Sequence, residues 1–96
     1  MDLKIQHDLE AKRFFAIIDG KEAHLDYGIS PDGKTLDYFS TFVPSELRGK
    51  QIGDKIVKFA LDYAKDNNFK VLPSCPFVKV IIEHNDEYKS IAVGME

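Results

Sequence analysis

Two short stretches hold the residue types from which a reactive site is built. The first is Val43-Pro44-Ser45-Glu46-Leu47-Arg48-Gly49-Lys50-Gln51-Ile52-Gly53-Asp54-Lys55, where an extended run meets a long helical period. A helix N-terminus presents unpaired N–H groups and a partial positive charge, which suit a phosphate. Gly49 and Gly53 carry no β-carbon, so the main chain can come close to a ligand there. Arg48, Lys50 and Lys55 add full positive charges. The glycine-lysine-serine/threonine ending of a P-loop is missing. Taken as residues alone, the stretch reads equally well as an ordinary strand-to-helix loop with solvated lysines.

The second stretch is Val71-Leu72-Pro73-Ser74-Cys75-Pro76-Phe77-Val78-Lys79. Cys75 leaves a short apolar run and stands at a helix start, since proline is favoured at the first helical position. A helix N-terminus stabilises a thiolate, and an inward-pointing Lys79 one turn later would add to that. Such a thiolate is a competent acyl acceptor. Free cysteine is also among the most buried residue types, and often inert. The histidines offer less. His7 and His24 fall on strand patterns where a solvated or packed role is expected. His84 lies roughly nine residues from Cys75, about 13 Å of helical rise, too far for direct pairing. Glu46 and Asp54 fit helix-start acids. Tyr38, Tyr63 and Tyr88 are read first as packing residues.

The elements that must position these residues follow from periodicity. Residues 3–7 and Arg13 to Ile18 read as strands, joined onward through Asp19-Gly20, a strong hairpin signal. Ala23, Leu25, Tyr27 and Ile29 alternate with Glu22, His24, Asp26 and Gly28, the pattern of a half-buried strand. Ser30-Pro31-Asp32-Gly33 is a turn, and Leu36 to Val43 a further, more buried strand. Ile52, Ile56, Phe59, Ala60, Tyr63 and Ala64 recur at three- and four-residue steps and predict a helix over 51–66, stopped by Asn67-Asn68. Phe69 to Leu72 reads as a strand. Phe77, Val80, Ile81 and His84 are expected to share one face of a second helix, and Ile91 to Val93 suggests a last strand. The order is an antiparallel meander followed by helix, strand and helix, an α+β layer architecture.

With these elements in place, VPSELRGKQIGDKIVKFALDYA resembles the pyrophosphate-binding motif of GNAT acetyltransferases, Arg/Gln-x-x-Gly-x-Gly/Ala entering a helix. Arg48 opens the pattern and Gly53 closes it; Gln51 stands where the superfamily usually has glycine. The cysteine stretch, with His84-Asn85-Asp86-Glu87-Tyr88, is similar to a small stand-alone GNAT-like family of about this length with a C-x-F-V motif. The likeness covers nearly the whole chain, with its specific matches between residues 40 and 88. It implies a mixed central sheet splayed to hold acetyl-CoA. It further implies that the amides of Arg48, Gly49, Lys50, Gln51, Ile52, Gly53 and Asp54 bind the CoA pyrophosphate. Phe42 and Val43 would bond the pantetheine arm, and Cys75 would lie near the thioester as the candidate catalytic residue. Family members often have His-Thr where this chain has Ser40-Thr41, and serine cannot replace a histidine base near neutral pH.

The expected activity is acetyl-CoA-dependent N-acetyl transfer to an amine or protein acceptor, directly or through Cys75. The rival expectation is a non-catalytic CoA-binding or protein-interaction module on the same fold. Composition narrows the field around both. Ninety-six residues suffice for one domain, expected to span 1–96. A domain of that size buries only roughly 60–65% of its unfolded surface. A net charge of -3 argues against broad electrostatic binding of nucleic acid. One cysteine and three scattered histidines supply neither a disulfide nor a zinc cage, so no metal is expected. No apolar run approaches the roughly 20 residues that span a bilayer. MDLKIQHDLEAKRF lacks a signal peptide's apolar stretch, which predicts a cytoplasmic protein, monomeric or weakly dimeric.

Overall fold

The structure, a computed structural model, describes residues 3–94. The ends of the expected 1–96 domain, residues 1–2 and 95–96, lie outside the described residues. Five strands form one mixed sheet in sequence order: β1 (Gln6–Asp8), β2 (Arg13–Ile18), β3 (Lys21–Ile29), β4 (Thr35–Phe42) and β5 (Lys70–Leu72). The first four run antiparallel and β5 joins β4 in parallel. Two helices, α1 (Ile52–Asp66) and α2 (Pro76–Glu83), supply the second layer.

Local chemistry explains the turns. Asp19 and Gly20 both take positive φ, 52° and 75°, the backbone that a two-residue hairpin matched to strand twist requires. At the end of α1, Asn68 adopts a φ of 62°, and the Asn67 side chain donates to the Tyr63 carbonyl. Both act as the stop that the asparagine pair predicted. The alternation of β3 buries Ala23, Leu25 and Tyr27 beneath α1 with Phe14 and Ala16 of β2, while Ile29 stays exposed at the strand end. From α1 come Ile52, Ile56, Val57, Ala60, Leu61 and Ala64. Each large apolar side chain so enclosed contributes about 1.5–3 kcal/mol relative to exposure. Tyr38 joins this core from β4 and donates its hydroxyl to the Ala60 carbonyl at 2.6 Å, tying sheet to helix.

Three expectations need correction. Residues 3–7 pair only from Gln6, and the strand ends at Asp8. Ile91 to Val93 is no strand: Ala92 makes a single parallel bridge with Val71, held by bonds from Val71 N–H to the Ile91 carbonyl and from Val93 N–H to the Val71 carbonyl. On α2 the buried face is Val78, Ile81 and Ile82, whereas Phe77, Val80 and His84 are exposed. With only eight residues, α2 packs one short stripe, and Val78, Ile81 and Ile82 form it at three- and four-residue spacing.

Two features of the sheet bear on the site. Between Asp26↔Ser40 and Tyr27↔Tyr38 the register shifts, so Phe39 is an extra residue bulged from β4. The bulge resets the alternation: Leu36 and Tyr38 face the helices, and beyond it Thr41, partner of Leu25, does so in place of Ser40. The second feature is divergence. β4 and β5 pair only over Thr35–Asp37 with Lys70–Leu72. Past that, one backbone bond remains, from the Cys75 N–H to the Tyr38 carbonyl at 3.0 Å. Among the described residues, the β4 edge from Phe39 onward has no backbone bond to the β5 side.

Candidate functional site

A cleft of about 460 Å³ opens where β4 diverges and α1 begins. Thr41 and Val43 line it from the strand, Leu47, Arg48 and Gly49 from the connecting loop, and Gln51, Ile52, Gly53 and Asp54 from the first turn of α1. Phe77 lines it from α2. The expected loop residues Arg48, Gly49, Gln51, Ile52, Gly53 and Asp54 therefore meet around one cavity, together with Val43. Lys50 and Phe42 do not line it. Lys50 is exposed, and the bulge turns the Phe42 side chain to the opposite face of the sheet, where its ring lies tilted at 5.5 Å from that of His24.

The loop's backbone is shaped for an anion. Gly49 has φ +85°, and open space surrounds the position a β-carbon would take. Gln51 caps α1 in the left-handed conformation, φ 60° and ψ 24°, and no side chain caps the helix. The first intrahelical bond runs from the Lys55 N–H to the Gln51 carbonyl. That leaves the N–H groups of Ile52, Gly53 and Asp54 without helical acceptors. Arg48 is exposed, and its Nε donates to the Val43 carbonyl at 3.2 Å, clamping the end of β4 to the loop. Asp54, the acid nearest this cradle, pairs with Lys58 at 3.1 Å. Gly53 differs from Gly49: a β-carbon there would meet Val43 Cγ2 at 3.0 Å and Phe77 Cε2 at 3.1 Å. The wall of the cleft closes onto Gly53 through side chains.

Cys75 caps the N-terminus of α2, as its proline neighbour predicted, and is 7% exposed. It does not line the cleft. Its Sγ donates to Thr41 Oγ1 at 3.5 Å, so Thr41 separates the thiol from the cavity. Lys79 is exposed and does not turn inward to the thiol. Thr41, Leu47 and Phe77 are the lining residues that the sequence did not single out. Thr41 owes its place to the bulge at Phe39, which leaves no signature in the residue types. Phe77, on the side of α2 away from the core, owes its place to the close approach of its ring to Gly53.

The remaining ionisable groups lie elsewhere. His7 stacks on Phe14 at 4.0 Å and bonds the Tyr27 hydroxyl, and burial lowers its pKa from the usual imidazole value. His24 sits between Glu22 and Asp26 on the helix-free face of the sheet. His84 caps the far end of α2. Burial pushes the Tyr38 hydroxyl up, keeping it neutral in its bond to Ala60. The Tyr88 hydroxyl is also raised, first by burial and then by the Asp62 carboxylate to which it donates at 2.8 Å. Both tyrosines tie elements together. Among the described residues no group of three His, Cys, Asp or Glu could hold a metal ion, and no helix is long and apolar enough to cross a membrane.

Comparison with known proteins bears on the whole arrangement. A sequence model described as GCN5-related N-acetyl-transferase matches residues 13–91. Protein NATD1 of Danio rerio is 27% identical over 85 residues, which cover 86% of this chain and 76% of that protein. The NMR solution structure of a GCN5-like protein from Staphylococcus aureus superposes with a TM-score of 0.74. It is 29% identical in sequence, and the match covers 98% of this chain and 91% of that one.

Proposed function

Because the chain belongs to the GCN5-related N-acetyltransferase family, we propose that it transfers an acetyl group from acetyl-CoA to an amine. One observation carries this reading: the cleft joins an uncapped helix start to a strand edge that has lost its neighbour. Free amides of the first turn of α1, the left-handed pair Gly49 and Gln51, and the Arg48 guanidinium suit a diphosphate. The edge that β5 has left at the end of β4, continued by Val43, offers main-chain groups to an extended amide-containing arm, much as a neighbouring strand would, with the Val43 carbonyl already accepting from Arg48. Val43, Leu47, Ile52 and Phe77 give that arm apolar walls. Bound in this way, acetyl-CoA supplies an activated acyl carbon whose leaving group is a thiolate.

The protein's own part is positioning. Amides fixed by the α1 backbone need no reorganisation when charge arrives, which makes them effective where side chains would have to be ordered. Lys50, turned to solvent, contributes long-range attraction to phosphate and no contact.

The acyl group passes directly to the amine in the first reading. A second reading uses Cys75 as carrier, and the 3.5 Å contact with Thr41 favours it by putting the thiol one side chain from the cleft. There the thiolate would attack the acyl carbon, CoA would leave as its thiolate, and the amine would then displace the cysteine sulfur. Calorimetry with acetyl-CoA tests the common premise: binding is expected in the native protein and its loss in Arg48→Glu combined with Gly53→Glu. No heat at millimolar acetyl-CoA would end the proposal. Mass spectrometry separates the two routes, since only the second leaves one acetyl mass on the protein that Cys75→Ala removes.

A further inference from the structure

Resting on the acetyl-transfer reading, we infer that the helix-free face of β3 and β4 docks the acceptor amine, and that His24 takes its proton. The cleft itself has no base. Its one carboxylate, Asp54, is at the diphosphate end and paired with Lys58. An aliphatic amine is protonated at neutral pH, and only its neutral form attacks a thioester. The proton must therefore go to a group beside the cleft.

The bulge at Phe39 supplies the route. It turns Thr41 toward the cleft and Phe42 toward the open face, where the Phe42 ring lies 5.5 Å from the ring of His24, its cross-strand partner. His24 thus lies across β4 from the edge that β5 has left, on the face of the sheet opposite Thr41. The charged groups facing it are Glu22 and Asp26 on its own strand and Arg13 on β2; from β4 it meets Phe42. Its Nδ1 is enclosed and 3.2 Å from Glu22 Oε2 without hydrogen-bond alignment, and its Nε2 is 3.7 Å from Asp26 Oδ2. Arg13 fixes both acids, donating to Asp26 at 2.7 and 3.2 Å and to Glu22 at 3.1 Å. Two anchored carboxylates flank the imidazole and orient its ring toward the open face.

The same face identifies the class of amine. Among the described residues, two enclosed side-chain atoms lack hydrogen-bond partners: His24 Nδ1 and Asp37 Oδ1. Asp37 projects from β4 opposite Gly28, where no side chain fills the space. Both atoms are on the side without helices, and four residues of β3, about 13 Å, separate the two positions. On β4 the exposed Phe39 ring lies between them, and the exposed Phe42 ring lies beside His24. A carboxylate oxygen without a partner and two aromatic faces suit a positive charge. The acceptor is therefore an extended aliphatic polyamine, its far ammonium on Asp37 and its reacting nitrogen beside His24.

In the transfer, His24 takes one proton from the reacting ammonium, and the freed lone pair forms the C–N bond to the acyl carbon. The C–S bond breaks, the sulfur leaves with its electron pair, and it takes the second proton from nitrogen. His24 then releases its proton to solvent.

Spermidine and n-butylamine are the probes. Release of CoA thiol is followed from pH 6 to 10 in wild type, His24→Gln and Asp37→Asn, with calorimetry of CoA binding alongside. His24→Gln is expected to bind CoA as wild type does and to lose about 100-fold in kcat at pH 7. Its rate should recover toward pH 10, where the amine loses its proton unaided. Asp37→Asn should raise the KM for spermidine about tenfold, the loss of about 1.4 kcal/mol, and leave that for n-butylamine unchanged. In wild type, spermidine should shift the His24 imidazole NMR signals. A wild-type pH profile in His24→Gln overturns the inference. So does spermidine that is not acetylated by a CoA-binding protein, or that leaves the His24 signals in place. Failure of wild type to bind CoA instead removes the acetyl-transfer reading, and the NMR titration still decides the docking surface.

Discussion

Gly53 and Phe77 stand so close that a β-carbon on the glycine would meet the phenyl ring at 3.1 Å, with Val43 Cγ2 at 3.0 Å on its other side. Strand end, helix start and second helix converge on one hydrogen atom, and their meeting forms the waist of the cleft. The Phe77 ring is 41% exposed and free to give way, so the fold tolerates a methyl group here better than the cavity does.

Gly53→Ala should therefore leave the melting temperature within a few degrees of wild type. Alanine's better helix propensity, up to about 1 kcal/mol, offsets the crowding. Affinity for acetyl-CoA should fall about tenfold, or about 1.4 kcal/mol, as the displaced ring narrows the cleft. Adding Phe77→Ala should restore most of it. Calorimetry on both variants checks the pair, and undiminished affinity in Gly53→Ala would place the cofactor elsewhere.

Gln51 holds a φ of 60° at the start of α1 without a side-chain hydrogen bond in return. A side chain in the left-handed region costs about 1–2 kcal/mol, most of which glycine would relieve. After the greater chain entropy glycine loses on folding, Gln51→Gly should stabilise the protein by about 1 kcal/mol, a rise in melting temperature of about 4–8 °C for a domain this size. Thermal denaturation measures it. An unchanged or lower melting temperature would mean that the glutamine is not strained.

The Gln51 backbone also marks how far the sequence could be read. Its type departs from the glycine of the resembled motif, and only the structure reveals that the glutamine takes the left-handed backbone that glycine favours. Most of the elements were legible because their signals are local: Asp19-Gly20 turning a hairpin, the four-residue steps of α1, Asn67-Asn68 stopping it, Pro76 starting α2. What escaped depends on contacts distant in sequence. Nothing in Tyr38-Phe39-Ser40-Thr41 announces a bulge, since it arises from register against Asp26 and Tyr27. That single extra residue turns the Thr41 side chain toward the cleft and the Phe42 side chain to the helix-free face. Val80 and Val78 are equally apolar, and only the packing of α2 on α1 decided which was buried. Cys75 was correctly expected at a helix start, but its screening by Thr41 rests on a contact spanning thirty-four residues.

His7 gives the fold a defined response to acid. Desolvation among Phe14, Tyr27 and Tyr63 lowers its pKa in the folded state, against a smaller opposing effect from Asp8. The unfolded chain then binds more protons than the folded one just below the ordinary imidazole value of about 6.5. Stability must fall as pH drops through that range, and the His7 contribution levels off above it. Urea unfolding at pH 5 and pH 7.5 should show a difference that shrinks in His7→Phe, which keeps the stack on Phe14 and cannot be protonated. An equal difference in the variant would assign the acid sensitivity to other groups.

Tyr88 poses the question of chemistry against structure most directly, because its phenol belongs to the stretch that resembles the family's shared ending. The hydroxyl donates to Asp62 on the exposed side of α1 while the ring is 2% exposed beneath α2. Burial and the neighbouring carboxylate both disfavour a phenolate, so the group holds its proton well beyond neutral pH. A proton held that firmly, and spent on a carboxylate of the helix surface, is unsuited to serve a leaving thiolate in the cleft. Tyr88→Phe should remove a charge-assisted hydrogen bond of about 1.5–3 kcal/mol, less what water returns to the exposed Asp62. The melting temperature should drop by several degrees, about 4–8 °C per kcal/mol. Acetyl transfer per folded molecule, assayed well below the new melting point, should remain that of wild type. A kcat reduced by about 100-fold or more with CoA affinity intact would instead make Tyr88 an acid in the reaction.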